Sequence, residues 1–364
     1  MPCSINWRTN CAPLNSIALS NRKATGCRRV RRAMPNSSES AEDRLIARYF
    51  RPLAKHPGAL GLVDDAAVIT PPPGCDVVLK TDGVIVGVHA FPDDRPEDIG
   101  RKALRMNLSD LAAKGATPIG FLLSVALPST IDEAWLAEFA AGLGEDAERY
   151  GCPLLGGDTD RTPGPTSVSI AAFGAVPQGK MVRRSTAKVG DCVVVTGTIG
   201  DAALGVKLRR DRGLARRWQL TDAMAHHLEQ RYLLPQPRNT LTEAVLQHAA
   251  AAMDVSDGLA GDLAKLCRAS SVSAAIDVSR VPLSDAARAA IAAAPELLET
   301  VLTGGDDYEI ILTLAPEKLA AFRAAAKAVG IVVTEIGRVQ AGEGARFIQD
   351  GKALTFARPS YSHF

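Results

Sequence analysis

Acidic residues occur in five groups, each in a turn-prone setting at the end of an apolar run. The groups are Asp64-Asp65, Thr81-Asp82-Gly83, Asn107-Leu-Ser-Asp110, Gly156-Gly157-Asp158-Thr159 and Asp254-Val-Ser256-Asp257-Gly258. Magnesium takes hard oxygen ligands, keeps several waters and is held by one or two carboxylates together with substrate phosphates. A lone Asp beside Gly usually caps a helix or closes a turn, but five such groups together predict a multi-metal site for a polyphosphate.

Two of these groups have a spacing that brings side chains together. Within a helix predicted from Pro96, Asp110 continues a stripe of small residues, while Leu104, Leu108 and Leu111 form the apolar stripe, so we expect Asp110 to face a crevice. Strand alternation places Asp254 and Ser256 on one face, and Asp257 turns into the next helix. Ligands of open α/β sheets bind at such strand ends, although Asp257 could also act as a helix N-cap.

Other motifs restrict the chemistry. Gly304-Gly305-Asp306-Asp307 predicts a flexible turn before a strand, either a hairpin turn or a loop whose backbone approaches a ligand closely. His89 follows an apolar strand, where a buried histidine is a common occurrence. The chain contains neither a Gly-x-x-x-x-Gly-Lys-Ser/Thr phosphate loop nor a protein-kinase His-Arg-Asp motif.

The elements that must position these residues alternate between strand and helix patterns. Strands are predicted at 76–80, 121–126 and 168–175, separated by helices at 96–114 and 131–150. A polar, basic break at 178–190 precedes a second set, which begins with a strand at 192–196. This alternation predicts an α/β fold in two domains, 39–182 and 183–364, for which a chain of 364 residues is long enough.

Charge and composition exclude several classes of protein. Residues 1–38 hold seven basic and no acidic residues, which leaves 35 of the 42 basic groups against 40 acidic groups, or −5, in the rest. This mild acidity argues against nucleic acid as the main partner and favours bound cations. No apolar run approaches the roughly 18 residues that cross a bilayer. The seven cysteines are scattered without a Cys-x-x-Cys pair, which indicates reduced thiols in the cytoplasm.

Residues 1–38 have three interpretations. Their Arg-rich, acid-free composition resembles an organelle transit peptide. A start codon assigned too far upstream explains them equally well, in which case Met34 begins the protein. We favour this misassigned start or a disordered tail, because such a composition cannot form a core.

Seven motifs, taken in order, resemble the thiamine-monophosphate kinase family over about residues 40–364. They are Val63-Asp-Asp-Ala-Ala-Val, Lys80-Thr-Asp-Gly with Gly87-Val-His89, Asn107-Leu-Ser-Asp-Leu-Ala-Ala-Lys-Gly-Ala, Leu155-Gly-Gly-Asp-Thr, Val195-Thr-Gly-Thr-Ile-Gly-Asp, Asp254-Val-Ser-Asp-Gly-Leu and Gly304-Gly-Asp-Asp-Tyr-Glu. The resemblance implies an aminoimidazole ribonucleotide synthetase-like fold, with N-terminal domains that pair their sheets in a homodimer and an active site between domains. It also implies magnesium-assisted, in-line transfer of the ATP γ-phosphoryl group to thiamine monophosphate.

The same resemblance implies a role for individual residues. Magnesium ligands are implied at Asp64, Thr81, Asp82, Asp110, Asp158, Asp254 and Asp257, of which Asp158 and Asp257 are also implied in catalysis. Contacts with the nucleotide are implied at Gly157, Arg184 and Ser256. Contacts with thiamine monophosphate are implied at His89, Asp306 and Tyr361, the last within a Tyr-x-His-Phe ending.

The chain departs from the family's pattern at several positions. Val63 stands where the family usually has Gly, Asp306 replaces the commoner Glu, and an adenine-stacking aromatic is absent near Ala140–Gly142. Lys80 stands where a small hydroxyl residue usually contributes to the metal cluster, although its ammonium can neutralise phosphate as a point charge. Two alternatives stay open: a non-catalytic magnesium-nucleotide sensor and an aminoimidazole ribonucleotide synthetase-like ligase. The Asp306-Asp307-Tyr308-Glu309 turn and the C-terminal ending favour the kinase over the ligase.

Overall fold

A four-stranded mixed sheet forms the first part of the fold. The computed structural model describes residues 40–358, 360 and 361, so the predicted tail at 1–38 and the last three residues lie outside it. The strands are β1 (Cys75–Ile85), β2 (Thr117–Leu127), β3 (Leu154–Arg161) and β4 (Ser167–Pro177). Their order is β1-β4-β2-β3; β2 and β3 are parallel, and the other neighbouring pairs are antiparallel.

Helices cover one face of this sheet. A short α1 (Ala41–Leu45) and the helical turns Ile46–Phe50, Arg51–Leu53 and Pro57–Leu62 precede α2 (Pro96–Ala113) and α3 (Glu133–Arg149). Strand alternation directs Val84 and Ile170 into the core shared with these two helices. The same alternation leaves Val77 and Leu79 of β1 on the other face, 36% and 70% exposed. One face of the sheet is therefore a core, and the other is apolar but partly uncovered.

A seven-stranded mixed sheet forms the rest of the fold. Its strands are β5 (Cys192–Thr196), β6 (Ala251–Asp254), β7 (Ser273–Asp277), β8 (Ile310–Leu314), β9 (Val333–Gln340), β10 (Gly344–Gln349) and β11 (Lys352–Ala353), in the order β11-β10-β7-β9-β5-β8-β6. The helices are α4 (Asp201–Arg210), α5 (Leu214–Arg217), α6 (Asp222–Leu233), α7 (Thr242–His248), α8 (Leu259–Ser270), α9 (Asp285–Ala293), α10 (Leu297–Thr303) and α11 (Leu319–Ala328). Short helical turns lie at Asn239–Leu241, Val278–Arg280 and Pro316–Lys318.

Helix α2 packs between the two sheets. It contacts β1 and β4 on one side and β6, β8 and α7 on the other. Leu104, Leu108 and Leu111 are completely buried, which confirms the predicted apolar stripe. Other faces of α2 are buried as well, since Ala112 and Ala113 pack into the core of the second sheet, and 14 of the 18 residues of α2 are buried. Polar residues on this helix are consequently withdrawn from water and must find partners within the protein.

The strand and helix pattern predicts the element types well and fails at three acidic or glycine-rich motifs. Thr81-Asp82-Gly83 lies inside β1 rather than at its end, and Gly156–Thr159 lies inside β3. Backbone pairing with β4 and β2 holds both segments extended, which overrides their turn preference. The hairpin alternative for Gly304–Asp307 is wrong, since this segment connects α10 to β8.

The packing of α3 against α2 gives a stability prediction. A Cβ at Gly142 would lie 2.3 Å from the carbonyl oxygen of Glu97, which is backbone and cannot move aside. We expect Gly142→Ala to lower the free energy of unfolding by about 1–3 kcal/mol, although alanine is the better helix former by about 1 kcal/mol. Equilibrium unfolding in urea, followed by circular dichroism, measures the change.

Gly144 is the matched control in the same helix. A Cβ there would meet only the Cδ2 end of the Leu53 side chain, at 2.5 Å, and a leucine side chain can rotate away. Gly144→Ala should therefore leave the stability unchanged or raise it by up to about 1 kcal/mol. Equal stabilities for the two variants would contradict this account of helix packing.

Candidate active site

Three elements bring acidic side chains together beside α2. Residues 80 and 82 lie on the face of β1 that turns toward α2, and Asp110 projects from the last turn of that helix. The ammonium of Lys80 lies 2.9 Å from Asp110 Oδ2 and 3.2 Å from Asp82 Oδ2. Asp254, the last residue of β6, joins them electrostatically from the second sheet. The structure thus places residues from both sheets in one acidic site.

Burial and like charge make this site electrostatically demanding. Burial raises the pKa of Asp82, an effect that Lys80 opposes. Burial would lower the pKa of Lys80, but the Asp110 carboxylate, and after it Asp82, raises that pKa above its ordinary value. Asp254 is 4% exposed, and burial followed by the charge of Asp110 raises its pKa well above the usual range. Its Oδ2 atom is buried without a hydrogen-bond partner among the described residues.

The loop after β6 is shaped by an acidic residue that the sequence did not single out. Asp262 in α8 is completely buried, and its Oδ2 accepts the backbone N–H groups of Ser256 at 3.0 Å and Asp257 at 2.8 Å. The N-cap of α8 is Gly258, so the alternative role of Asp257 as a helix cap is wrong. The Asp257 carboxylate instead lies 2.5 Å from the ammonium of Lys265. An acid in the first turn of a helix was the available signal for Asp262.

The remaining implied metal and nucleotide residues of the first sheet line a cavity on its other side. This cavity has a volume of about 840 Å³, and its lining includes Asp64, Thr81, Gly157 and Asp158. Thr81 points there because strand alternation turns it away from its neighbours at 80 and 82. Among the residues that the structure describes, no three Asp, Glu, His or Cys side chains are grouped closely enough to hold a metal ion. Of the implied ligands, Asp82, Asp110 and Asp254 thus lie beside α2, whereas Asp64, Thr81 and Asp158 line this cavity.

A third group connects the two implied substrate contacts at His89 and Asp306. The ammonium of Lys102 lies 2.9 Å from Asp306 Oδ2 and donates to the carbonyl oxygen of His89 at 3.0 Å. The Tyr232 hydroxyl donates to the same carbonyl at 3.1 Å, and its ring lies 3.7 Å beneath the ammonium. Sequence analysis missed Lys102 and Tyr232, because nothing local marks a lysine whose partner is 204 positions away.

The other implied residues lie at the edges of these groups. The backbone N–H of Tyr361 donates to the carbonyl oxygen of Asp257 at 3.0 Å, and its side chain is about half exposed, at 51%. This contact brings the C-terminal segment to the loop after β6. Arg184 is exposed, and its carbonyl oxygen accepts the Ser270 hydroxyl. Gly157 packs so closely on β2 that a Cβ would lie 1.8 Å from the Leu123 carbonyl oxygen.

Comparison with known proteins identifies the class to which this fold and site belong. Residues 63–176 match the family model for the N-terminal domain of AIR synthase related protein, and residues 188–350 match the model for its C-terminal domain. The chain belongs to the AIR synthase related family. This result confirms the α/β fold with an aminoimidazole ribonucleotide synthetase-like architecture.

Individual relatives define the branch of that family. Thiamine-monophosphate kinase of Caulobacter vibrioides is 43% identical over 335 residues, which cover 91% of this chain and 93% of that protein. The crystal structure of thiamine-monophosphate kinase from Stenotrophomonas maltophilia K279a has a TM-score of 0.75 at 38% identity and covers 86% of this chain and 96% of its own. The structure of AaThiL complexed with AMPPCP and TMP has a TM-score of 0.71 at 29% identity, and the match covers 84% of this chain and 97% of AaThiL. Within its family, the chain belongs to the thiamine-monophosphate kinases.

The unpaired oxygen of Asp254 leads to a prediction about stability. Burial and the charge of Asp110 disfavour the ionised form of Asp254, and its Oδ2 atom has no donor among the described residues, so this carboxyl group raises the free energy of the folded state. We therefore expect Asp254→Asn to stabilise the protein by about 1–3 kcal/mol when divalent cations are removed with EDTA. Thermal unfolding measures the effect, and Glu317→Gln, which neutralises an exposed acid, is the control. A lower melting temperature for Asp254→Asn in EDTA would contradict the destabilising role of this carboxyl group.

Proposed function

We propose that this protein transfers the γ-phosphoryl group of ATP to thiamine monophosphate, giving thiamine diphosphate and ADP. The observation that carries the proposal is the acidic site beside α2, which both sheets build and which contains a buried, unpaired carboxylate oxygen. Two polyanions must approach each other in this reaction, so the site has to compensate their charge and align them. AaThiL complexed with AMPPCP and TMP, which shares this fold, supports ATP and thiamine monophosphate as the substrates.

Magnesium fits the residues of the site. Carboxylate oxygens are hard ligands, and the Asp254 Oδ2 atom is available to a cation because no described group donates to it. We propose as magnesium ligands Asp64, Thr81, Asp82, Asp110, Asp158, Asp254 and Asp257. When bound, magnesium supplies positive charge that offsets the negative charge of the phosphates. The acceptor is already an anionic phosphate oxygen, so the protein needs no strong general base.

The protein's own residues are proposed to bind and orient the substrates. Gly157, Arg184 and Ser256 are proposed nucleotide contacts, and Gly157 lines the cavity of about 840 Å³. His89, Asp306 and Tyr361 are proposed contacts with thiamine monophosphate. Lys102 supports two of them, because it holds Asp306 and the carbonyl of His89 in one arrangement. We propose that Asp158 and Asp257 contribute most directly to the transfer of the phosphoryl group.

Domain boundaries, assembly and compartment are also proposals. We place the two domains at 39–182 and 183–364, which agrees with family matches that end at 176 and resume at 188. Among the described residues, no helix is long and apolar enough to cross a membrane. A cytoplasmic location is supported by four free thiols within the described chain, at Cys75, Cys152, Cys192 and Cys267.

The uncovered face of the first sheet supports a homodimer. Val77, Leu79 and Leu122 on this face are 36%, 70% and 36% exposed, and contiguous exposed apolar residues commonly mark an interface. We expect Leu79→Lys to convert the dimer to a monomer, because the ammonium would be desolvated between two sheets. Sedimentation velocity measures the assembly. The control is Val189→Lys, because Val189 is 63% exposed but does not lie on this sheet. If the wild-type protein sediments as a monomer, the proposed homodimer is wrong.

Product analysis tests the proposed reaction. Purified protein is incubated with ATP, magnesium and thiamine monophosphate, and the products are separated by chromatography. We expect thiamine diphosphate and ADP from the wild type, and a turnover at least about 100-fold lower for Asp110→Asn, since a metal site contributes several kcal/mol to the transition state. Glu317→Gln should keep wild-type turnover. Binding of ATP by the folded wild type without product would favour a magnesium-nucleotide sensor instead.

A further inference from the structure

Lys80 occupies a position in the acidic site that a metal ion would otherwise take. Its ammonium bridges Asp110 Oδ2, from α2, and Asp82 Oδ2, from β1, at 2.9 and 3.2 Å. We propose that Lys80 is a built-in cation, so that the site binds one divalent ion fewer than it would with a neutral residue at position 80. The proposal rests on the proposed function, from which it takes Asp82 and Asp110 as metal ligands.

Backbone geometry fixes this arrangement. Residues two apart on a strand share a face, so β1 necessarily directs Lys80 and Asp82 to the same side. Pairing of β1 with β4 continues on both sides of this point, from Cys75 to Ile85, and it holds the register. The side chains of Lys80, Asp82 and Asp110 are only 28%, 33% and 21% exposed. Partial shelter from solvent makes their ion pairs stronger than fully exposed ones.

A lysine and a divalent ion cannot both bridge Asp82 Oδ2 and Asp110 Oδ2, although the second oxygen of each carboxylate can still bind another divalent ion. Magnesium binds carboxylate oxygens at about 2.0–2.1 Å, and an ion that joined both oxygens would stand in the space that the ammonium fills. The two cations would also repel each other strongly at such a distance. The ammonium is a compact point charge with three donors, so it can compensate two carboxylates and still face a phosphate. It cannot dissociate from the protein.

The neighbouring polar groups separate this position from the rest of the site. Asp254 Oδ2 has no donor within the described chain, so it remains available to a divalent ion. Lys114, the other lysine beside these carboxylates, directs its ammonium to the Ala252 carbonyl oxygen at 2.7 Å. Lys265 contacts one proposed ligand, Asp257, and its second partner, Asp262, already accepts the backbone of the loop. Lys80 differs from both because it joins two proposed ligands.

Counting bound ions tests the proposal. The number of Mn²⁺ ions bound per chain is measured by electron paramagnetic resonance in the presence of AMPPCP. We expect Lys80→Thr to bind one more Mn²⁺ per chain than the wild type, because it removes the ammonium and leaves space and an oxygen ligand. Lys80→Arg keeps the charge and should bind the wild-type number. Lys55→Thr should also bind the wild-type number, since Lys55 lies away from the acidic site and, within the described part of the chain, pairs with exposed Glu148 at 3.6 Å.

Thermal unfolding provides a readout that does not depend on the count. Without divalent ions, Lys80→Thr should melt at a lower temperature than the wild type, because Asp82 and Asp110 lose their shared cation. Addition of Mn²⁺ should then raise the melting temperature of Lys80→Thr more than that of the wild type. If Lys80→Thr does not fold, Lys80→Gln, which preserves most of the bulk, replaces it in both measurements. Equal Mn²⁺ counts in the wild type and the neutral variant would overturn the proposal.

The outcome is independent of the proposed reaction. Neither measurement uses thiamine monophosphate. If Lys80→Thr binds an extra ion but the wild type forms no thiamine diphosphate, the built-in cation is supported and the proposed reaction is wrong. Thiamine diphosphate formation together with equal counts would reject the built-in cation and retain the reaction.

Discussion

The burial of α2 between two sheets is the constraint on which the site depends. A helix enclosed on both sides is normally apolar all round, yet Lys102, Arg105, Asn107 and Ser109 on α2 are each at most 2% exposed. Arg105 is compensated by Asp146 of α3, with contacts of 2.5 and 3.0 Å, and Lys102 is compensated by Asp306. Because a buried charge without a partner is costly, the contacts that reach the second part of the fold, Lys102 with Asp306 and Arg105 Nη1 with the Pro235 carbonyl oxygen at 3.1 Å, help to hold it on α2.

The same helix sets the distance between two parts of the site. Lys102 contacts Asp306, one of the proposed thiamine monophosphate contacts, and Asp110 belongs to the acidic site with Asp82 and Asp254. Eight residues separate them, which corresponds to about 12 Å along a helix axis. The spacing between organic substrate and phosphoryl groups is therefore built into a rigid element rather than into loops. A rigid scaffold of this kind favours the near-attack alignment that in-line transfer requires.

Sequence reasoning succeeded where a signal is local. The 192–196 strand and the leucine stripe of α2 follow from short-range periodicity, and both are observed. It failed at Asp82 and Asp158, where an acid beside glycine signals a turn but strand pairing keeps the chain extended. It also missed Lys102, Tyr232 and Asp262. Their roles arise from contacts that long-range folding creates, or from hydrogen bonds to backbone that composition does not reveal.

The acidic site illustrates how a protein keeps carboxylates together before any ligand arrives. Asp82 and Asp110 share the Lys80 ammonium, whereas Asp254 Oδ2 is left buried and without a donor. A fixed ammonium lowers the repulsion at all times but adds no coordination geometry. A buried carboxyl group with one oxygen left without a donor destabilises the fold, and for that reason it binds a cation more strongly. Of the three carboxylates, Asp254 is the one with a buried oxygen that lacks a donor among the described residues. That oxygen lies where β6 ends and the loop to α8 begins, so the local cost falls at the point where cation and phosphates are proposed to meet.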